Sequence, residues 1–173
     1  MAAAPPAVVI RPGRAGDLAA IVAILNHYIR ETHHSFDVDP HTEATRAGWF
    51  AGFGEQGPHR LLVAEDASGV LGYASSTGFR PKAAYARSVE TSIYLRPGAE
   101  GRGLGGRVYA TLFSELEAEP VHRAYAVIAL PNPASIALHA RLGFHSAGVL
   151  REVGFKFGRY WDVEIFEKAL PGA

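Results

Sequence analysis

The chain contains no cysteine and a single methionine. The lack of thiols excludes a disulfide framework, a thiolate-bound metal and a covalent cysteinyl intermediate, and it is compatible with a reducing compartment. An excess of charge of either sign is also missing. Seventeen lysines and arginines balance 17 aspartates and glutamates, so no broad basic field recruits nucleic acid or an anionic membrane. No apolar run is long enough to span a bilayer. Residues 1–9 have neither the basic n-region nor the apolar core of a secretory leader. The expectation is a cytoplasmic protein with no nucleic-acid and no membrane partner. What is present is ordinary: 173 residues, 48% of them hydrophobic, suffice for one core of normal size.

Hydrophobic periodicity divides this material into elements. Residues 8–11 read as a strand ended by Pro12 and Gly13. Asp17 is positioned to cap a helix on which Leu18, Ile21, Val22, Leu25, Tyr28 and Ile29 share a face. A polar, histidine-bearing loop over residues 31–40 leads into a second, weaker helix over 42–53. The period then shortens to two. Residues 60–65 and 70–77 form an antiparallel pair about the turn Asp66-Ala67-Ser68-Gly69. Residues 87–95 add a strand with Val89, Thr91, Ile93 and Leu95 on one face and Glu90, Ser92 and Tyr94 on the other. Leu104, Val108, Leu112, Phe113 and Leu116 define the next helix. The continuous apolar run over 123–130 predicts a strand buried on both faces. Asn132, Pro133 and Gly143 punctuate a last helix as N-cap, first turn and C′, and residues 144–155 and 160–168 are closing strands. No repeat or linker interrupts the pattern, so the fold class is α/β (α+β), a single domain over residues 1–173 with a core of about 8–169.

The stretch Arg96-Pro97-Gly98-Ala99-Glu100-Gly101-Arg102-Gly103-Leu104-Gly105-Gly106 joins a strand to a helix. Glycines let successive N–H groups turn toward one point, and the helix aims its positive end there, so a phosphate or pyrophosphate is the natural guest. Arg102 and Arg107 add charge. The spacing is neither the Walker lysine pattern nor the dinucleotide fingerprint. A ligand-free glycine turn is the alternative reading.

Four segments in this order resemble the GNAT superfamily of acetyltransferases, and within it the phosphinothricin and methionine sulfoximine (or sulfone) N-acetyltransferases. They are Ser88-Val89-Glu90-Thr91-Ser92-Ile93-Tyr94-Leu95, the glycine loop, the helix from Asn132 to Phe144, and Leu150-Arg151-Glu152-Val153-Gly154-Phe155-Lys156-Phe157-Gly158-Arg159. The resemblance covers nearly the whole chain. It implies a twisted, mostly antiparallel sheet flanked by helices and split between its central strands, with acetyl-CoA as co-substrate and a homodimer. It further implies that the backbone of Ile93, Tyr94 and Leu95 pairs with the pantetheine. Gly101, Arg102, Gly103, Leu104, Gly105 and Gly106 hold the pyrophosphate, and Asn132 touches the CoA arm. One departure stands out: the superfamily carries Gln or Arg where this chain has Glu100, whose carboxylate is expected to turn to solvent or pair with an arginine.

Acetyl transfer requires that an ammonium lose a proton, that an oxyanion meet donors and that a thiolate be protonated. Glu90 matches the family's base, acting directly or through a water; the alternative is a glutamate on a solvated strand face. His139 follows Asn132 by two helical turns, so both face one cleft. It occupies the position of a proton donor or acceptor, the alternative being a structural histidine. A backbone N–H near Tyr94 or Leu95 supplies the oxyanion donor. The family-like segments nominate Arg80 and Lys156 for an acceptor carboxylate, with Phe36, Tyr85 and Phe157 as pocket walls. His33, His34, Asp37, Asp39 and His41 crowd one loop, but adjacent histidines point apart in extended chain, and no metal is expected.

The function implied is acetylation of a small amino-acid-like amine. The alternatives are a GNAT enzyme for a protein N-terminus, a lysine or a polyamine, and a CoA-binding module without catalysis.

Overall fold

Alternation along one strand decides how the layers stack. In β2 (Leu61–Asp66), Leu62 and Ala64 enter a core with Val108, Leu112 and Leu116 of α3 (Leu104–Leu116). Leu61 and Val63 point the other way, to Ile21 and Ile24 of α1 (Leu18–Glu31). A period-two strand with both faces apolar must be covered on both sides, and the two helices supply that cover. Each fully buried aliphatic side chain in these layers contributes roughly 1.5–3 kcal/mol. The computed structural model describes residues 7–171, and the leader reading and the outermost limits of the predicted domain lie partly outside them.

Around β2 lie β1 (Val9–Pro12), β3 (Gly69–Gly78), β4 (Ser88–Leu95), β5 (Arg123–Ala129), β6 (His145–Lys156) and β7 (Arg159–Ala169). They form one seven-stranded sheet in the order β1-β2-β3-β4-β5-β7-β6. Every pairing is antiparallel except that of β4 with β5. The short α2 (Glu43–Phe50) joins α1 on one face. The apolar residues Ile136, Leu138 and Leu142 dock α4 (Pro133–Arg141) and its exit on the α3 side. The result is one open, mostly antiparallel sheet with helices on both faces. Among the described residues no helix is long and apolar enough to cross a membrane.

Four local expectations require correction. Asp17 does not cap α1: a 3-10 turn, Ala15–Asp17, starts the helix early, and the carboxylate instead binds Arg11 at 2.7 Å and the Arg14 N–H at 2.7 Å. The second helix is shorter than residues 42–53, because Thr42 caps it by accepting from the Thr45 N–H and it ends at Phe50. β5 is not buried on both faces. Val127 is 45% exposed, because the face opposite Ala126 and Ile128 borders an open cleft rather than a helix. His33 and His34 do not point apart: their rings meet edge to face at 4.7 Å, since the chain turns there, and His33 stacks on Trp161 at 4.0 Å. Asn132, by contrast, caps α4 as its position suggests, accepting from the Ser135 N–H at 3.2 Å, with Pro133 behind it.

Candidate active site

β4 and β5 run parallel but pair only over three rungs, from Ser88–Arg123 to Glu90–Tyr125. Beyond that point β4 stays laddered to β3 as far as Leu95, and β5 to β7 as far as Ala129, so their facing edges diverge. The gap opens into a cleft of about 930 Å³. Edge N–H and C=O groups of this kind are a template for one more extended chain. The Tyr28 hydroxyl donates to the Leu95 carbonyl at 2.8 Å, fixing the outer end of the open edge.

The glycine loop closes one end of the cleft. Gly101 and Gly103 have φ of 77° and 70°, and a Cβ on either would meet nothing within 4 Å. Glycine is therefore required by the left-handed backbone, not by crowding. Gly105 is different: its Cβ would stand 3.3 Å from Leu138 Cδ2, so its small size lets α4 close on α3. The first turn of α3 has N–H groups with no intrahelical partner, which favour an anion.

Ile93, Tyr94, Leu95, Gly101, Gly103, Leu104, Gly105, Gly106, Asn132 and His139 all line this one cleft. Arg102 does not; its guanidinium donates back to the Gly98 carbonyl at 3.3 Å. Arg107 donates to the Val8 carbonyl at 3.3 Å. Glu100 is exposed and pairs with no arginine among the described residues; its carboxylate accepts the Gly98 N–H at 2.7 Å, two residues back in its own turn. The negative charge is thereby partly satisfied while the side chain remains on the cleft wall.

His139 is 2% exposed, and its Nδ1 lies 2.8 Å from the Ser135 carbonyl. A carbonyl only accepts, so Nδ1 carries the proton and Nε2 presents a lone pair. That Nε2 is buried and hydrogen-bonds to nothing. Burial holds the imidazole below its ordinary pKa, opposed by the bond to Ser135, which favours the protonated ring. Tyr109, at 5.3 Å between ring centroids, lines the same cleft with a buried hydroxyl beside Thr91. Sequence reasoning missed Tyr109, although it shares the buried face of α3 with Leu112 and Phe113.

Glu90 stands at the base of the split. By alternation it lies on the face opposite Val89 and Thr91, whose face packs on α3. Burial raises its pKa, and the positive charge of Arg80 opposes that rise. Arg80 stacks on Phe79, and Phe79 in turn lies over Tyr125 at 4.2 Å and against Tyr85 at 5.9 Å. Two of the residues nominated for the acceptor, Arg80 and Tyr85, are therefore in Glu90's neighbourhood.

The other three belong to a separate contact. Lys156 is 4% exposed and donates its Nζ to the Ser35 carbonyl at 2.6 Å, away from the cleft lining. Phe36 covers Gly154, where a Cβ would overlap its ring. Phe157 sits in the left-handed region at the tip of the β6–β7 hairpin, 56% exposed. A tether between hairpin and loop, not a carboxylate grip, is what Lys156 provides in this chain. Among the described residues no group of three or more histidine, aspartate or glutamate side chains is arranged to hold a metal.

A parallel pair that parts beside a left-handed glycine turn at a helix N-terminus suits an extended carrier with an anionic end, the kind of donor an acyltransferase uses. Comparison with known proteins bears out that class: residues 10–165 match the acetyltransferase (GNAT) domain, and the chain belongs to the GNAT acetyltransferase family. It is an N-acetyltransferase. The phosphinothricin N-acetyltransferase of Streptomyces coelicolor is 53% identical over 165 residues, spanning 94% of this chain and 96% of its own length. The L-methionine sulfoximine/L-methionine sulfone acetyltransferase of Pseudomonas paraeruginosa is 39% identical over 91% of this chain and 92% of its own. A phosphinothricin acetyltransferase from Sinorhizobium meliloti, solved with acetyl-CoA, superposes with a TM-score of 0.89 at 34% identity, over 94% of this chain and 88% of that one.

Proposed function

We propose that this enzyme moves acetyl from acetyl-CoA to the amine of a small amino-acid-like acceptor, of the phosphinothricin, methionine sulfoximine or methionine sulfone type, by direct attack. One observation carries the reading. A carboxylate with a raised pKa stands on the last rung before the strands part, and a buried imidazole with a free Nε2 lines the cleft beyond it, which is more proton-transfer equipment than a binding module needs.

The residues present fit acetyl-CoA, which supplies an acetyl thioester. Gly101, Gly103, Leu104, Gly105 and Gly106 would hold its pyrophosphate, the β4 edge at Ile93, Tyr94 and Leu95 its pantetheine, and Asn132 the rest of the arm; Arg102 would add charge from outside. Glu90 takes the proton from the acceptor ammonium, directly or through a water. A backbone N–H near Tyr94 or Leu95 faces the oxyanion. His139, neutral and with its lone pair free, serves as acceptor in a proton path and as donor only after it has been charged. Arg80 and Tyr85 belong to the acceptor side; Phe36, Lys156 and Phe157 hold the hairpin that borders it.

We assign the enzyme to the cytoplasm and to a homodimer. Support for the dimer is the apolar surface of the hairpin: Val149, Leu150, Val153, Phe155 and Tyr160 are each 42–60% exposed. Sedimentation of wild type against V153D/F155D reads that contact, with a shift to monomer expected.

The function is tested by following thiol release from acetyl-CoA over a panel of amines. Turnover with phosphinothricin or methionine sulfone and none with peptides or polyamines is the expected result. Turnover confined to peptides would reject the acceptor class.

A further inference from the structure

Beside the main cleft lies a smaller cavity of about 150 Å³ on the α1/α2 side of the sheet. Ser92 and Tyr94 line both, so the two spaces meet at β4. Ser75, Thr77 and Arg46 supply most of its remaining polar lining, and Thr77 is the register partner of Glu90. Direct neighbours across an antiparallel pair stand roughly 4.5–5.5 Å apart, so the cavity begins one strand away from the carboxylate.

Arg46 is the unusual member. Its guanidinium carbon lies over the Trp49 ring, 4.1 Å from the centroid. Its Nε is buried and hydrogen-bonds to nothing, and none of its side-chain donors has a partner among the described residues. Asp37 lines the same cavity, yet its ion pair is with His41 at 3.2 Å rather than with Arg46. A partly desolvated guanidinium with one orphaned donor and no carboxylate partner is an arrangement that a planar anion would complete.

Resting on the acetyltransferase reading, the geometry points to this cavity as the acceptor subsite, with Arg46 gripping the acceptor's carboxylate. In an α-amino acid only one carbon separates amine from carboxylate. An acid held by Arg46 and steadied by the hydroxyls of Ser75, Thr77 and Ser92 brings its ammonium toward Glu90. With Arg46 for the acid and Glu90 for the ammonium, the subsite suits a zwitterion over an amine that lacks a carboxylate. Arg46 is therefore a specificity residue for the α-carboxylate, on the opposite side of the sheet from the glycine loop.

The test compares L-methionine sulfone with its primary carboxamide, which keeps the amine and loses the charge, as substrates of wild type and of Arg46→Met. Methionine preserves the apolar stem over Trp49, and the thermal midpoint of each protein checks folding. Wild type is expected to favour the acid. Arg46→Met should raise KM for the acid by about 10- to 100-fold, with KM for the amide and for acetyl-CoA unchanged. Calorimetric binding of both ligands without acetyl-CoA gives the same comparison independently of turnover. Equal losses for acid and amide, or a wild type indifferent to the carboxylate, would overturn the subsite while leaving the acetyltransferase standing. Selective binding of the acid without any thiol release would instead remove the catalytic reading and keep the subsite.

Discussion

Glu90 and Tyr125 are partners on the last rung that joins β4 to β5. One residue further, Thr91 still reaches across with its hydroxyl to the Tyr125 carbonyl at 3.2 Å, and past it the strands part. The carboxylate is therefore fixed by a ladder on both sides just where the opening begins. Its face carries Ser92 and Tyr94, whereas α4 brings His139 to the α3 side. Glu90 and His139 therefore belong to opposite faces of the sheet, on either side of the point where β4 and β5 part.

This placement gives a pH signature. Glu90 acts as a base only when ionised, and burial has raised its pKa, so kcat/KM should fall as pH drops through that raised value. Arg80 lowers the pKa, so Arg80→Gln should move the acidic limb to higher pH. Glu90→Gln should lower kcat by roughly 10²–10⁴-fold and abolish the limb. Profiles of the three proteins check this; an unshifted limb in Arg80→Gln would separate the arginine from the base.

The left-handed glycines make a prediction about the donor. Gly103→Ala meets no atom but must hold a φ of 70°, at a penalty of roughly 1–2 kcal/mol. Because the loop shapes donors and not the reacting groups, the expected effect is a rise in KM for acetyl-CoA of roughly 5- to 30-fold with kcat within a factor of two or so. Initial rates over a donor titration measure it. A loss confined to kcat would mean that the loop positions the thioester rather than the diphosphate.

How far the sequence was legible depends on the range of the signal. The β4 alternation, the Asn132–Pro133 cap and the glycine turn are local chemistry, and each stands in the structure where periodicity or turn propensity puts it. The split was legible only through resemblance, because nothing in the sequence of β5 says that its pairing with β4 stops at Tyr125. The same long-range contact explains the misreading of Val127, an apolar residue facing a cleft instead of a helix. Lys156 and Arg46 show the limit most clearly. One cation is bound to a carbonyl 121 residues earlier, the other is free over an indole, and in the sequence both are a basic residue among aromatics.

The loop–hairpin contact can be tested as a coupled pair. A methyl at position 154 overlaps the Phe36 ring, so Gly154→Ala should destabilise the fold by about 1–3 kcal/mol. Phe36→Ala removes the obstacle, and the double variant should recover most of the loss. Denaturant unfolding of the four proteins gives the interaction energy. Additive losses would mean that the loop already swings clear of the hairpin in solution.

His139 ties the site to stability through its proton. Folding holds its pKa below the unfolded value near 6.5, because the buried ring is kept neutral. Above that unfolded value neither state is charged there and the contribution is fully present. As pH falls below it, the unfolded chain takes up a proton that the native ring resists, so stability declines toward the depressed folded pKa. Replacing the imidazole by a ring that does not titrate removes this slope. His139→Phe should therefore show a flatter thermal midpoint between pH 5 and about 7 than wild type, with the two converging in slope above. The same variant loses the acceptor Nε2, so its kcat should drop by roughly 10- to 100-fold at neutral pH, where folding is unaffected. Differential scanning calorimetry across pH, paired with rates on the same samples, separates the two effects. A wild-type slope retained in His139→Phe would assign the acid sensitivity to another group.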